Sequence, residues 1–216
     1  MIASCGTQSF TRILTCMLWV VACDMCPLQS QANTTHRASI DLRSGLLNGR
    51  PTTDWTLEQV TDSFGRPSAV SNGVADIIGP QLHYHARGLS FWFIPKAKDP
   101  DQHLWILTTY LAREWDGTHS AWYEVFAGDV LPAVDANWKQ TRLLSEFAGF
   151  KPEVKTAEDS KRALQATGMG RTGVSGPQTD FVTYFLGDLR VTFAIEPNTK
   201  FVERIVLADE SKSHRR

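Results

Sequence analysis

Apolar and polar positions recur along this chain with two periods, and the first is helical. Within residues 55–64, Leu57, Val60 and Phe64 fall at the i, i+3, i+7 spacing of one buried helix face. Thr53 or Asp54 stands where a cap is expected, Glu58 lies in the first turn, and Gly65-Arg66-Pro67 supplies the stop. A similar segment spans residues 138–148. Trp138 and Phe147 are nine apart, as are Trp55 and Phe64. Asp135-Ala136-Asn137 precedes this second segment as its cap, and Gly149-Phe150-Lys151-Pro152 follows it. Ile40, Leu42, Leu46 and Leu47 predict a further short helix, ended by Asn48-Gly49. Residues 157–166 predict another, leading into a glycine-rich loop over 168–179.

The second period is two. Leu82, Tyr84 and Ala86 alternate with His83 and His85, and Gly88 makes a turn. Leu89, Phe91 and Phe93 then alternate with Ser90, Trp92 and Ile94. Residues 95–102 are polar and read as a hairpin loop. Residues 104–111 form a third strand, and 121–126 suggest a fourth. The pattern returns late in the chain. Thr183 to Phe193 parallels Tyr84 to Phe93, with Leu189, Val191 and Phe193 in the places of Leu89, Phe91 and Phe93. Residues 201–207 stand where 104–111 stood. The expected class is therefore α+β, with two helix–hairpin repeats forming one antiparallel sheet and helices packed on one face. The expected divisions are 1–32, an export signal and tether; 33–134, the first repeat; and 135–216, the second repeat with its insertion.

The repeats resemble those of β-lactamase-inhibitory-protein-like domains, and small outer-membrane assembly lipoproteins are similar to a single unit. The resemblance rests on Trp55, Val60, Phe64, Gly65, Pro67, Tyr84, Gly88, Leu89, Phe91 and Phe93. Its second copy is Trp138, Leu143, Phe147, Gly149, Pro152, Tyr184, Gly187, Leu189, Val191 and Phe193. It implies an open sheet face that binds a partner protein through aromatic side chains. Strict alternation from Leu89 and from Leu104 points Ser90, Trp92, Trp105 and Leu107 to that face. These four are the expected contact residues, because tryptophan is enriched in binding hot spots.

Composition changes this picture at the N-terminus. Arg12 precedes an apolar run over residues 13–22, the layout of a secretory signal. Val20-Val21-Ala22-Cys23 resembles the lipobox of bacterial lipoproteins, which implies lipid attachment at Cys23. Ser30-Gln31-Ala32 is a competing small-x-small cleavage pattern that releases a chain starting at Asn33. Both leave the protein exported, in the periplasm or cell envelope, with a membrane contact only through the lipid. All four cysteines lie within the first 26 residues, so the remainder has no disulfide and no thiolate metal site. The charge balance, 22 Lys+Arg against 23 Asp+Glu, gives no basic surface for nucleic acid.

Candidate chemistry is sparse. His83 and His85 share a strand face and could hold a metal with Asp101 or His103, although no characteristic ligand spacing is present. Asp116, His119 and Ser120 are the residue types of a serine hydrolase, clustered on one loop without a Gly-x-Ser-x-Gly elbow. Gly168 to Gly173 has a Gly-x-Gly-x-x-Gly pattern in the wrong context, after a helix. Arg171 there could make a partner or phosphate contact. Glu114, Asp116 and Glu124 are carboxylates with no evident pairing. The sequence therefore assigns no catalytic residue, no metal and no cofactor. The expected function is partner-protein binding. The alternatives are an exported hydrolase or metal-binding protein using the His83/His85 or Asp116/His119 region, and a structural envelope lipoprotein.

Overall fold

The computed structural model describes residues 37–73, 79–156 and 179–212. The signal segment, Cys23, the helix expected over 157–166, most of the glycine-rich loop and Arg171 lie outside the described residues. Residues from Arg37 onward form one compact unit.

Its frame is an eight-stranded, wholly antiparallel sheet. The strands, in chain order, are β4 (Ala69–Ser71), β5 (Gln81–Tyr84), β6 (Leu89–Phe93), β7 (Leu104–Tyr110), β11 (Glu153–Lys155), β12 (Asp180–Leu186), β13 (Leu189–Ile195) and β14 (Val202–Asp209). Their spatial order is β11-β12-β13-β14-β7-β6-β5-β4, so β7 and β14 join the two halves. A second small sheet contains β1 (Ser39–Asp41), β2 (Leu46–Leu47), β3 (Arg50–Pro51) and β10 (Asp129–Leu131), with β10 parallel to β1. A separate hairpin pairs β8 (Glu114–Asp116) with β9 (Ala121–Tyr123).

This layout overturns the α+β expectation. Among the described residues the protein is mostly β, with 43% strand and 16% helix. Among the described residues there are two α-helices, α1 (Leu57–Phe64) and α2 (Gln140–Glu146). They do not make a helix layer or two helix–hairpin repeats. Extended backbone replaces much of the helix that the apolar spacing suggested. Residues 39–47 form β1, a turn and β2, and Asn48-Gly49 is the turn into β3, with Asn48 Oδ1 accepting from the Ser39 amide at 2.8 Å. Residues 52–54 form a 3-10 turn, so the α1 cap is Thr56 rather than Thr53 or Asp54. Thr56 and Gln59 exchange side-chain and backbone hydrogen bonds as a capping box, which satisfies two amides of the helix start. Trp138 lies outside α2 because its carbonyl accepts from the Val202 amide at 2.9 Å.

One hydrophobic cluster occupies a single face of the large sheet. Register places Leu82, Phe91, Leu107, Leu207, Val191 and Tyr184 in one row across six strands of that face. Phe64 of α1 packs on Phe91 at 5.1 Å between ring centroids, and Phe147, just past α2, packs on Tyr184 at 4.9 Å. The small sheet adds Ile40, Leu47 and Val130. On the other face the corresponding row is His83, Ser90, Thr108, Val206, Thr192 and Thr183. That polar row is where the β8–β9 hairpin meets the sheet.

Candidate metal centre

His83 sits on β5, and its side chain leaves the polar face because Leu82 and Tyr84 take the core face. His85 begins a 3-10 turn, His85–Arg87, rather than continuing the strand. The turn closes at Gly88, whose φ of +63° is left-handed. A Cβ there would lie 2.2 Å from the Glu124 carbonyl oxygen, so glycine lets the chain after β9 pass close by. The Glu124 amide donates to the His85 carbonyl at 2.9 Å, and the Phe126 amide donates to the Tyr110 carbonyl at 2.8 Å. Tyr123 stacks on Tyr110 with centroids 3.8 Å apart and an interplanar angle of 9°. These contacts hold the hairpin over the His83 end of the sheet.

Alternation within the hairpin gives its two faces different tasks. Trp115 pairs with Trp122, and both are exposed. Asp116 and Tyr123 are on the opposite side and meet the sheet. Asp116 uses its two oxygens separately. Oδ1 accepts from the Thr118 amide at 3.0 Å and shapes the turn. Oδ2 points at three imidazoles, lying 2.8 Å from His119 Nδ1, 2.9 Å from His85 Nε2 and 3.5 Å from His83 Nδ1. One donor atom from each of these four residues lies within 4.8 Å of all the others. The Asp116 side chain is 8% exposed, that of His83 5%, and that of His85 10%. The Tyr123 hydroxyl also meets His83 Nδ1. On the outer side of the cluster, Ser71 Oγ is 2.9 Å from His83 Nε2 and 3.3 Å from His119 Nε2.

Electrostatics favour a neutral His83 ring beside an ionised Asp116 carboxylate. Burial, with the nearby His119 and His85 rings, lowers the His83 pKa to about 4 against the pull of Asp116. Burial opposes ionisation of Asp116, but hydrogen bonds from His85, His119 and the Thr118 amide outweigh it and hold the carboxyl below its ordinary range. Burial raises the Tyr123 pKa, so its hydroxyl keeps its proton. The cluster therefore gathers three imidazole nitrogens around one negative oxygen, and with the ring hydrogens displaced they form a donor set suited to zinc and neighbouring divalent transition metals.

The structure joins two regions that the sequence left apart, His83/His85 and Asp116/His119. Ser120 is exposed with φ of +51°, and Ser71 is the serine at the cluster. Asp101 and His103 belong to a different group with Asp99, where Asp99 Oδ2 accepts from the His103 amide at 2.9 Å and meets its Nδ1 at 2.8 Å. Glu114 pairs with Arg204, and Glu124 with Arg113 at 3.1 Å. Ser71 and Tyr123 carried no sequence signal for this role. Their contribution depends on strand register and hairpin docking.

The four expected partner contacts are divided. Trp92 and Trp105 are half-buried, whereas Ser90 is fully buried and Leu107 is 1% exposed. Leu107 faces the core, contrary to the alternation counted from Leu104. A register irregularity pairs Trp92 with Ile106 but Phe93 with Leu104, which leaves Trp105 as the extra residue and restores Leu107 to the core row. Ser90 is on the open face but shares the buried zone with Tyr110 and Tyr123.

Comparisons with known proteins add little to this geometry. No family model matches the chain, and no curated protein matches it. A solved structure of a DUF4309 family protein (YjgB) from Bacillus subtilis aligns over 74% of this chain and 81% of its own, at 12% identity and a TM-score of 0.41.

Proposed function

We propose that this protein binds a divalent transition-metal ion, zinc in the first instance, through His83, His85, His119 and Asp116. The supporting observation is the convergence of three imidazole nitrogens on one buried carboxylate oxygen. Tetrahedral zinc with metal–ligand distances of about 2.0–2.2 Å sets its donors roughly 3.3 Å apart. Asp116 Oδ2 already lies 2.8–3.5 Å from the three nitrogens. Four protein ligands complete a closed tetrahedron, the form of a structural or storage site rather than a hydrolytic one. The test is metal analysis of chelator-stripped protein reloaded with zinc, beside His119→Ala and Asp116→Ala. The expected result is one equivalent in the wild type and a loss in both variants. Failure of the wild type to retain zinc overturns the reading.

A second reading draws on the same cluster. Ser71 Oγ, His119 and Asp116 fall in the order nucleophile, base and orienting carboxylate, at 3.3 and 2.8 Å. It proposes a serine hydrolase, tested by labelling with a fluorophosphonate probe. Modification of Ser71 supports it, and an unlabelled protein removes it. Partner binding through Trp92 and Trp105 is a separate proposal about the rest of the open face. Capture experiments with the Trp92→Ala, Trp105→Ala double variant test it.

A further inference from the structure

Ser71 lies on β4, at the sheet edge, with Ala69 rather than Ser71 directly opposite His83. From this diagonal position one hydroxyl reaches Nε2 of both His83 and His119. The other nitrogen of each ring faces inward, where Nδ1 of His83 meets the Tyr123 hydroxyl and Nδ1 of His119 meets Asp116 Oδ2. These contacts assign the protons. An ionised carboxylate only accepts, so Nδ1 of a neutral His119 carries the hydrogen and its Nε2 accepts from the Ser71 hydroxyl. His83 Nδ1 is 3.5 Å from Asp116 Oδ2 but closer to the Tyr123 hydroxyl; with that hydroxyl as donor to Nδ1, Nε2 of the ring carries the hydrogen and donates to Ser71 Oγ. The donors run in one direction, from His83 through Ser71 and His119 to Asp116.

A metal ion held by the inward nitrogens needs a lone pair on Nδ1 of both rings. On His83 that lone pair is engaged by the Tyr123 hydroxyl, which must turn away to release it. His85 Nε2, which faces Asp116 Oδ2 at 2.9 Å, must give up its hydrogen as His119 does. On His119, Nδ1 holds a proton. That proton must leave for solvent while another arrives at Nε2, which changes the tautomer and leaves the ring's charge unchanged. Nε2–H of His119 then points at Ser71, and the hydroxyl must accept where it had donated. A hydroxyl has one hydrogen and two lone pairs, so it can serve both arrangements. A methyl serves neither.

We propose that Ser71 is the positioning residue of this centre: its hydroxyl sets the tautomers of His83 and His119 and reverses its hydrogen bond to His119 when a metal ion enters. The proposal rests on the metal reading above. Outer partners of this kind are worth about 10–100-fold in metal affinity.

The experiment compares the full chain with Ser71→Ala and Ser71→Thr. It records nitrogen-15 spectra of the histidine rings without metal and with zinc, and zinc affinity by competition with a chelator. Without metal, the expected tautomers are Nε2–H for His83 and Nδ1–H for His119. With zinc, His119 changes to Nε2–H and His83 does not. Ser71→Ala keeps one equivalent of zinc but binds it about 10–100-fold more weakly, and Ser71→Thr restores most of that loss. Wild-type affinity in Ser71→Ala, or a His119 tautomer that stays the same on loading, overturns the role of Ser71 while leaving the metal site standing. A wild type that takes up no zinc overturns the metal reading, and the metal-free spectra then still decide whether Ser71 sets the two tautomers.

Discussion

Glu203 shows at the residue scale how burial and charge set stability away from the centre. It lies on β14, half-buried, and its carbonyl accepts the Leu111 and Ala112 amides at 2.7 and 3.0 Å. Burial raises its pKa, Glu114 and Glu196 add to the rise, and Arg204 opposes it. A folded-state value above the unfolded one means that the ionised form disfavours folding. The penalty is full above the folded value and disappears below the ordinary value of 4.5. Glu203→Gln therefore raises the melting temperature near neutral pH, by up to about 3 °C, and gives no gain in acid. Thermal scans of both proteins across that range check the sign; equal melting temperatures at neutral pH would remove the argument. The metal site follows a different logic at the same scale. Each ligand residue was visible in the sequence as a candidate, but no local spacing linked the pairs. Asp116 and His119 are held by one turn, whereas His83 and His85 arrive from β5 and the turn after it, more than thirty residues earlier.

At the element scale the β8–β9 hairpin decides whether the centre exists. Gly88 permits its close return, and a Cβ there would meet backbone that cannot move aside like a flexible side chain. Gly88→Ala is expected to cost on the order of 2–4 kcal/mol, combining left-handed strain with displaced backbone. It is also expected to weaken zinc binding, because Asp116 and His119 move with the hairpin. Denaturant unfolding and a zinc titration of the variant measure the two effects, and wild-type values in both would show that the approach is not needed. Zinc itself should stabilise the fold, since a metal at this site ties β5 and the following turn to the hairpin. At a free concentration 100 times the dissociation constant, binding contributes about 2.7 kcal/mol, a rise of roughly 5–10 °C for a chain of this size. A zinc-independent melting curve would argue against that tie. The helical signals at this scale were partly misleading. Leu57, Val60 and Phe64 do line α1, but the apolar spacing at Ile40, Leu42, Leu46 and Leu47 belongs to two strands and the turn between them. Short apolar runs satisfy either period until a pairing partner decides.

At the scale of the whole molecule, the two ends of the chain pose different questions. We propose that the chain is exported, and the mass of the mature N-terminus in an envelope fraction tests how. A diacylated Cys23 supports the lipoprotein route, a free Asn33 supports cleavage after Ala32, and an intact Met1 opposes export. The sequence alone determined the alternation at Leu82–Tyr84, at Leu89–Phe93 and from Thr183 to Phe193, though not the 3-10 turn at His85–Arg87, together with the core positions Phe64, Phe91, Phe147 and Phe193 and the lack of thiolates after Cys26. Those features depend on periodicity and composition, which are local. Tertiary structure decided the predominantly β class, the side to which Leu107 points, and the meeting of Ser71, His83, His85, Asp116, His119 and Tyr123. Each depends on long-range pairing. A one-residue irregularity in β7 reverses a face, and hairpin docking places side chains from separate segments around one carboxylate oxygen.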